Sequence, residues 1–206
     1  MIQIFLEGGP MMWPLLLTSL VACTVVLERL IFIARERINR RPGVVAEIFA
    51  AVERGDLDAA ERAGKGSKDF VARTLTHALE HRDVSYSNAL LQAANVELQQ
   101  FNRGISPLDT IVTLAPLEGL FGTVTGMIHA FGLLGATELG APAAITGGIA
   151  QALIATAFGL VIAMVALLPF NYLNARLEQA RHEIETASAQ LEMLLLRKEK
   201  KAEYLA

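Results

Sequence analysis

Apolar residues crowd this chain into three runs, separated by stretches whose apolar positions recur every three or four residues. Each run is long enough, at about 20 residues, to carry a helix across roughly 30 Å of hydrocarbon. The runs predict spans over 10–34, 108–134 and 149–172. Between the first two, the spacing predicts helices rather than strands. Pro42-Gly43 breaks the first span's helix, and Val45, Ile48, Phe49 and Val52 mark one face of a helix ending at Arg54. Gly55-Asp56 turns into Leu57–Ala63, and Ser67 is the expected N-cap of a helix over Asp69–His81. Ser85 or Ser87 is expected to cap a further helix reaching Asn102, with Leu90, Leu91, Ala94, Leu98 and Phe101 as its apolar stripe. Gly104 and Pro107 mark the entry to span two. The region 173–206 reads as one long polar helix, with apolar positions at Leu177, Ile184, Ala187, Leu191 and Leu194–Leu196 that need neighbours to pack on. The predicted class is an all-α membrane protein with three spans, a helical insert at 35–107, and long helices extending from spans two and three.

Charge gives that class an orientation. All 18 Lys and Arg lie within 29–103 and 176–206. Four arginines fall in residues 35–41, Arg176 and Arg181 follow span three, and the loop 135–148 has Glu138 as its one charge. Cations flank the cytoplasmic ends of membrane helices, so the insert and the C-terminal helix are expected inside, with 1–9 and 135–148 outside. The topology is N-out, C-in. A hydrophobic content of 53% agrees with a membrane protein, and a net charge of −3 without a basic tail gives no hint of nucleic acid. No cleavable signal precedes span one, which is expected to remain as an anchor. Cys23, inside the first apolar run, is expected to be a small buried hydrophobe.

Polar groups inside hydrocarbon are the candidates for chemistry. Span two carries Glu118, Thr123, Thr125 and His129, and span three carries Gln151 and Thr156. A hydroxyl both donates and accepts, so threonines can line an ion path without adding charge. A threonine within a helix more often bonds its own i−4 carbonyl. Glu118 reads either as a functional carboxylate or as a group reaching the cytoplasmic headgroups. His129 is expected at the outer interface. Gly119, Gly122, Gly126 and Gly159 are small notches that let helices approach closely. A Ser/His pair, HExxH or paired aspartates at helical spacing are missing from the sequence, which argues against an intramembrane enzyme.

The segment APLEGLFGTVTGMIHAF (Ala115–Phe131) resembles the "APxxGLLGTVxGMIxAF" signature of the MotA/TolQ/ExbB family, and GIAQALIATAFGL (Gly148–Leu160) resembles its "GIxxALxxTAxGL" signature. The opening GGPMMWPLLL (Gly8–Leu17) and Leu27–Leu30 are similar to ExbB and TolQ starts. The resemblance implies a multi-pass protein of the bacterial inner membrane, with its outer segments in the periplasm. It implies a homo-oligomeric ring, typically a pentamer, around the helices of an ExbD- or TolR-like single-span partner. It implies a motor driven by proton or sodium flow that acts on the outer membrane, through a TonB-like protein for example. No cofactor is expected beyond the transported ion. The family's pore threonines fall on Thr123 and Thr156, and its essential aspartate belongs to the partner.

The chain departs from this pattern twice. Gln151 stands where several members have a glutamate, so that position cannot titrate. Glu118 stands where the family is usually apolar. Two alternatives to the ExbB/TolQ-type motor subunit are a non-conducting scaffold and a MotA-like stator. The short insert and the lack of a fourth span argue against the stator.

Overall fold

The computed structural model of the chain describes residues 5, 7–132 and 142–205, leaving aside the side chains of 83, 84, 142–145 and 198–205. The expected 1–9 segment and the 135–148 loop lie partly outside these residues, as do Glu138 and the side chains of Lys198, Lys200 and Lys201. The described residues form helices α1 (Met12–Asn39), α2 (Pro42–Arg54), α3 (Leu57–Gly64), α4 (Phe70–Glu80), α5 (Arg82–Asn102), α6 (Ile105–Gly132) and α7 (Pro142–Leu205). Three stretches, within α1, α6 and α7, are long and apolar enough to cross a membrane. The chain divides into two units, Met1–Arg29 with Gly104–Tyr172, and Leu30–Arg103 with Leu173–Ala206.

The first unit holds the apolar runs. Its interior is built from small or thin residues: Met12 and Leu15 pack on Ala155, and Ala22 packs with Ile111 and Ala166. Larger side chains such as Leu17, Leu20, Phe121, Ile128, Leu153 and Val165 point outward. In water such a surface would be an aggregation hazard. In lipid it costs nothing, because tails are as apolar as leucine and helices associate through close approach instead. Cys23 is exposed on this outer surface rather than buried as expected. Its neighbour Ala22 takes the buried place against Ile111 and Ala166 instead. Arg29 is buried, and its aliphatic stem crosses Gly104, where an added Cβ would sit 2.6 Å from Arg29 Cδ. Gly104 also has a φ of 81°, a left-handed conformation that separates α5 from α6. Helix α7 begins at Pro142, so its first turn takes up part of the segment read as loop. Proline is well suited to a first helical position, where its missing N–H is not needed.

The second unit is a helical cluster with a continuous apolar core. Ile48, Ala51 and Val52 from α2, Ala60 from α3, and Phe70, Val71, Leu75 and Leu79 from α4 pack on Ala180, Ile184, Ala187 and Leu191 of α7. Those last four recur at four, three and four residues, the spacing of a helix that presents one seam to its neighbours. Gly55 ends α2 in the left-handed region at φ 87°, its N–H reaching Ala51 and Val52 carbonyls, and Asp56 then caps α3 by accepting from Ala59 N–H at 2.8 Å.

The cap of α4 is Asp69, not Ser67. Its carboxylate accepts from Val71 and Ala72 N–H, whereas the Ser67 hydroxyl accepts only from Asp69 N–H at 3.2 Å. Burial decides the choice: Asp69 is 0% exposed and has a charged partner, because Arg40 donates to both its oxygens at 2.7 and 2.6 Å. Arg41 N–H adds another bond at 2.7 Å, and the Arg40 guanidinium also pairs with Glu183 and lies 4.8 Å from the centre of the Phe70 ring. Helix α5 starts at Arg82, is broken at Ser85, and resumes with the Ser85 hydroxyl accepting from Asn88 N–H. On its stripe, Leu90, Ala94, Leu98 and Phe101 pack against the core, but Leu91 is exposed. Leu90 takes the inward place because Ala94, Leu98 and Phe101 follow it at four, four and three residues.

Candidate functional site

The site is set by how closely α6 and α7 approach. Along this contact, Gly119, Gly122 and Gly126 of α6 face Thr156, Ala155 and Ala152 of α7. A Cβ added to these glycines would come within 2.9 Å of Thr156 Cα, 2.7 Å of Ala155 Cβ and 2.9 Å of Ala152 Cβ. Gly159 meets α6 in the same way, against the Ala115 carbonyl and the Gly119 backbone. Residues three and four apart share a helix face, so this run of glycines makes one groove without side chains.

Thr156 uses the gap. Its hydroxyl donates across the helices to the Gly119 carbonyl at 2.8 Å, so one of span three's polar groups is tied to span two. Thr125 donates within its own helix to Phe121 and Gly122 carbonyls at 2.9 and 3.2 Å. Its oxygen can still accept. Thr125, Gln151 and His129 line a common cavity of about 360 Å³ with Gly8, Met11 and Gly122. The cavity has hydroxyl, amide and imidazole groups on walls that are otherwise small or apolar, and polar partners are what ordered water needs.

Thr123 lies elsewhere. Its hydroxyl donates to the Leu120 carbonyl at 2.6 Å, and the residue lines an open depression with Val124, Met127, Ile128 and Phe131. Within one chain, therefore, the structure does not bring Thr123 and Thr156 to one cavity. Glu118 is engaged on another side, by the hydroxyl of Thr18 on α1, which lies 3.0 Å from each carboxylate oxygen. Sequence reading missed Thr18 because its one signal is a hydroxyl within an apolar run. It also missed Gly8 and Met11, which carry no chemical signal and are recruited by position.

These features define a class: a multi-span helical membrane protein with hydroxyl, amide and carboxylate groups held among its spans. The family follows from comparison. Residues 63–186 match the profile of the MotA/TolQ/ExbB proton channel family, and the chain belongs to that family. It is 36% identical over 197 residues to the biopolymer transport protein ExbB-like 1 of Synechocystis sp., which covers 92% of this chain and 77% of the relative. It is 28% identical to ExbB-like 3 of the same organism, with 93% of each chain covered. The Tol-Pal system protein TolQ of Haemophilus influenzae is 39% identical over 88 residues, 43% of this chain and 39% of that protein. The chain is accordingly a multi-pass inner-membrane protein of a transport and channel type, similar to ExbB and TolQ.

Proposed function

We propose that this chain is the ring-forming subunit of an ExbB/TolQ-type motor that couples ion flow across the inner membrane to work on the envelope. In this reading it adopts an N-out, C-in topology and assembles as a homo-oligomer, a pentamer by family analogy. The ring encloses the helices of an ExbD- or TolR-like single-span partner, and the output passes to a process such as TonB-dependent transport. The observation that carries the reading is the polar lining of an otherwise small-residue helix pair: Thr156 bridges α6 and α7 beside a cavity shared by Thr125, Gln151 and His129. In this reading the hydroxyl of Thr123 meets the partner helix inside the ring; its position on an open face of α6 supports that role. A partner carboxylate there would exchange its ion with hydroxyl oxygens that both accept and donate. Protons are the favoured ion and sodium the alternative, and no cofactor enters the scheme.

The scaffold reading draws on a different fact. Thr123 and Thr125 satisfy their hydroxyl protons on their own helix, as packing residues do. Ion flux into liposomes separates the two. The protein is reconstituted with its single-span partner, and wild type is compared with Thr156→Val and Thr123→Val under separate proton and sodium gradients. Loss of flux in an intact complex supports the motor, and the effective gradient identifies the ion. Absent flux, or flux unchanged by both substitutions, favours the scaffold.

A further inference from the structure

The second unit carries a cluster of metal-ligating side chains that the ion pathway does not use. His77 stands in the last turn of α4, Glu80 is that helix's final residue, and His81 is its C-cap. Their ligand atoms all lie within 4.8 Å of one another. Two atoms bound to one zinc ion at about 2.1 Å each sit at most about 4.2 Å apart, so small side-chain rotations close the set. The imidazoles already lie close, tilted 37° to one another with ring centres 4.3 Å apart.

Three further features suit a cation there. His81 Nδ1 lies 3.0 Å from the His77 carbonyl. A carbonyl only accepts, so this bond places the proton on Nδ1 and leaves the Nε2 lone pair free, the orientation that ligating histidines usually receive from an outer partner. The cluster sits at a helix C-terminus, whose unsatisfied carbonyls carry partial negative charge. The next residue, Arg82, directs its charge to the Leu79 carbonyl and to Asp58 and Glu61, at 3.0, 3.4 and 3.7 Å. All three ligands are at least partly exposed, so an ion can reach them from solvent.

We propose that His77, Glu80 and His81 form a binding site for a zinc-type divalent ion, completed by water. Two imidazoles and a carboxylate suit zinc, copper or nickel better than magnesium or calcium. The ion would clamp the last turn of α4 to its C-cap, just before the break at Ser85, and so stiffen the α4–α5 joint.

The test uses the full chain in detergent or nanodiscs, free of any polyhistidine tag, titrated calorimetrically with Zn²⁺ and optically with Co²⁺. One ion per chain is expected. His77→Ala and His81→Ala should each weaken binding by at least the roughly tenfold that losing even an outer partner costs. Glu80→Gln should weaken it less, and His182→Ala should leave it unchanged. Lack of zinc binding by the wild type, or equal binding by a helical His77→Ala/His81→Ala double variant, overturns the proposal. Should the double variant lose helix content, diethyl pyrocarbonate modification of the wild type decides. Zinc should protect His77 and His81 but not His182, and equal modification with and without zinc overturns the site.

Discussion

The Thr18 hydroxyl lies 3.0 Å from both carboxylate oxygens of Glu118, joining α1 to α6 through the one acidic side chain of span two's motif. A hydroxyl has a single proton, so it is shared between the oxygens and leaves Glu118 other acceptor sites for water or an ion. Thr18 is itself buried, which makes the pair part of the packing as well as of the site.

Removing that donor should therefore be felt twice. Thr18→Val keeps the shape but strips a hydrogen bond from a carboxylate, a loss of about 1.5–3 kcal/mol for a bond to a charged group. The expected result is a lower melting temperature for the detergent-solubilised protein, with altered flux in the reconstituted complex. Glu118→Gln keeps an acceptor and should melt close to wild type. If Thr18→Val melts like wild type, the pair makes no net contribution to stability.

The glycine groove gives a second, steric prediction. At Gly159 a methyl group would run into the Ala115 carbonyl, and backbone cannot yield as a side-chain tip can. Gly159→Ala should cost about 1–3 kcal/mol, the usual penalty of overpacking, and should loosen α6 from α7. Gly43→Ala is the control: nothing lies within 4 Å of its added Cβ, and α2 should gain up to about 1 kcal/mol from a less flexible unfolded chain. Thermal melts of both variants check the contrast.

Much of this architecture is legible in the sequence because lipid imposes simple rules. Runs near 20 apolar residues become spans, and the glycines at 119, 122, 126 and 159 sit where helices touch, because an added side chain there would collide with the facing helix. Local turn chemistry was legible at Gly55 and Ser85. What stayed hidden depends on long-range pairing. Ser67 and Asp69 both satisfy cap rules, and Arg40, 29 residues away, selects Asp69. Thr18 and Glu118 are 100 residues apart, and nothing local links them. Cys23 was misjudged because an apolar run does not say which face meets lipid and which meets protein.

The Asp69 cluster yields the largest expected stability effect. Its carboxylate is fully buried, and takes two contacts from Arg40 and further bonds from Arg41, Val71 and Ala72 N–H. Asp69→Ala removes the cap, worth about 0.5–2 kcal/mol, and hydrogen bonds to a charged group, worth about 1.5–3 kcal/mol, leaving Arg40 with Glu183 alone. Asp69→Asn keeps an acceptor for the α4 N–H groups and should cost less. Limited proteolysis of the helical unit should show much faster cleavage for the alanine variant and an intermediate rate for asparagine.

Tyr86 gives the pH-dependent case. Its hydroxyl is buried without a hydrogen-bond partner, and burial first, then the nearby Glu192 charge, pushes its pKa up from 10.0 to about 12. The raised value fixes the sign. Below pH 10 both folded and unfolded chains hold the proton, so the ring's contribution is intact. Above that the unfolded chain ionises first, and stability falls as pH rises towards about 12. Tyr86→Phe removes both the ionisable group and an unsatisfied buried hydroxyl. The variant should be as stable as wild type at pH 7, or more stable by about 1 kcal/mol. Between pH 10 and 12 it should also lose less melting temperature than wild type. Melting curves across that range decide the matter: parallel decline of the two proteins would mean that Tyr86 ionises as freely in the folded chain as in the unfolded one.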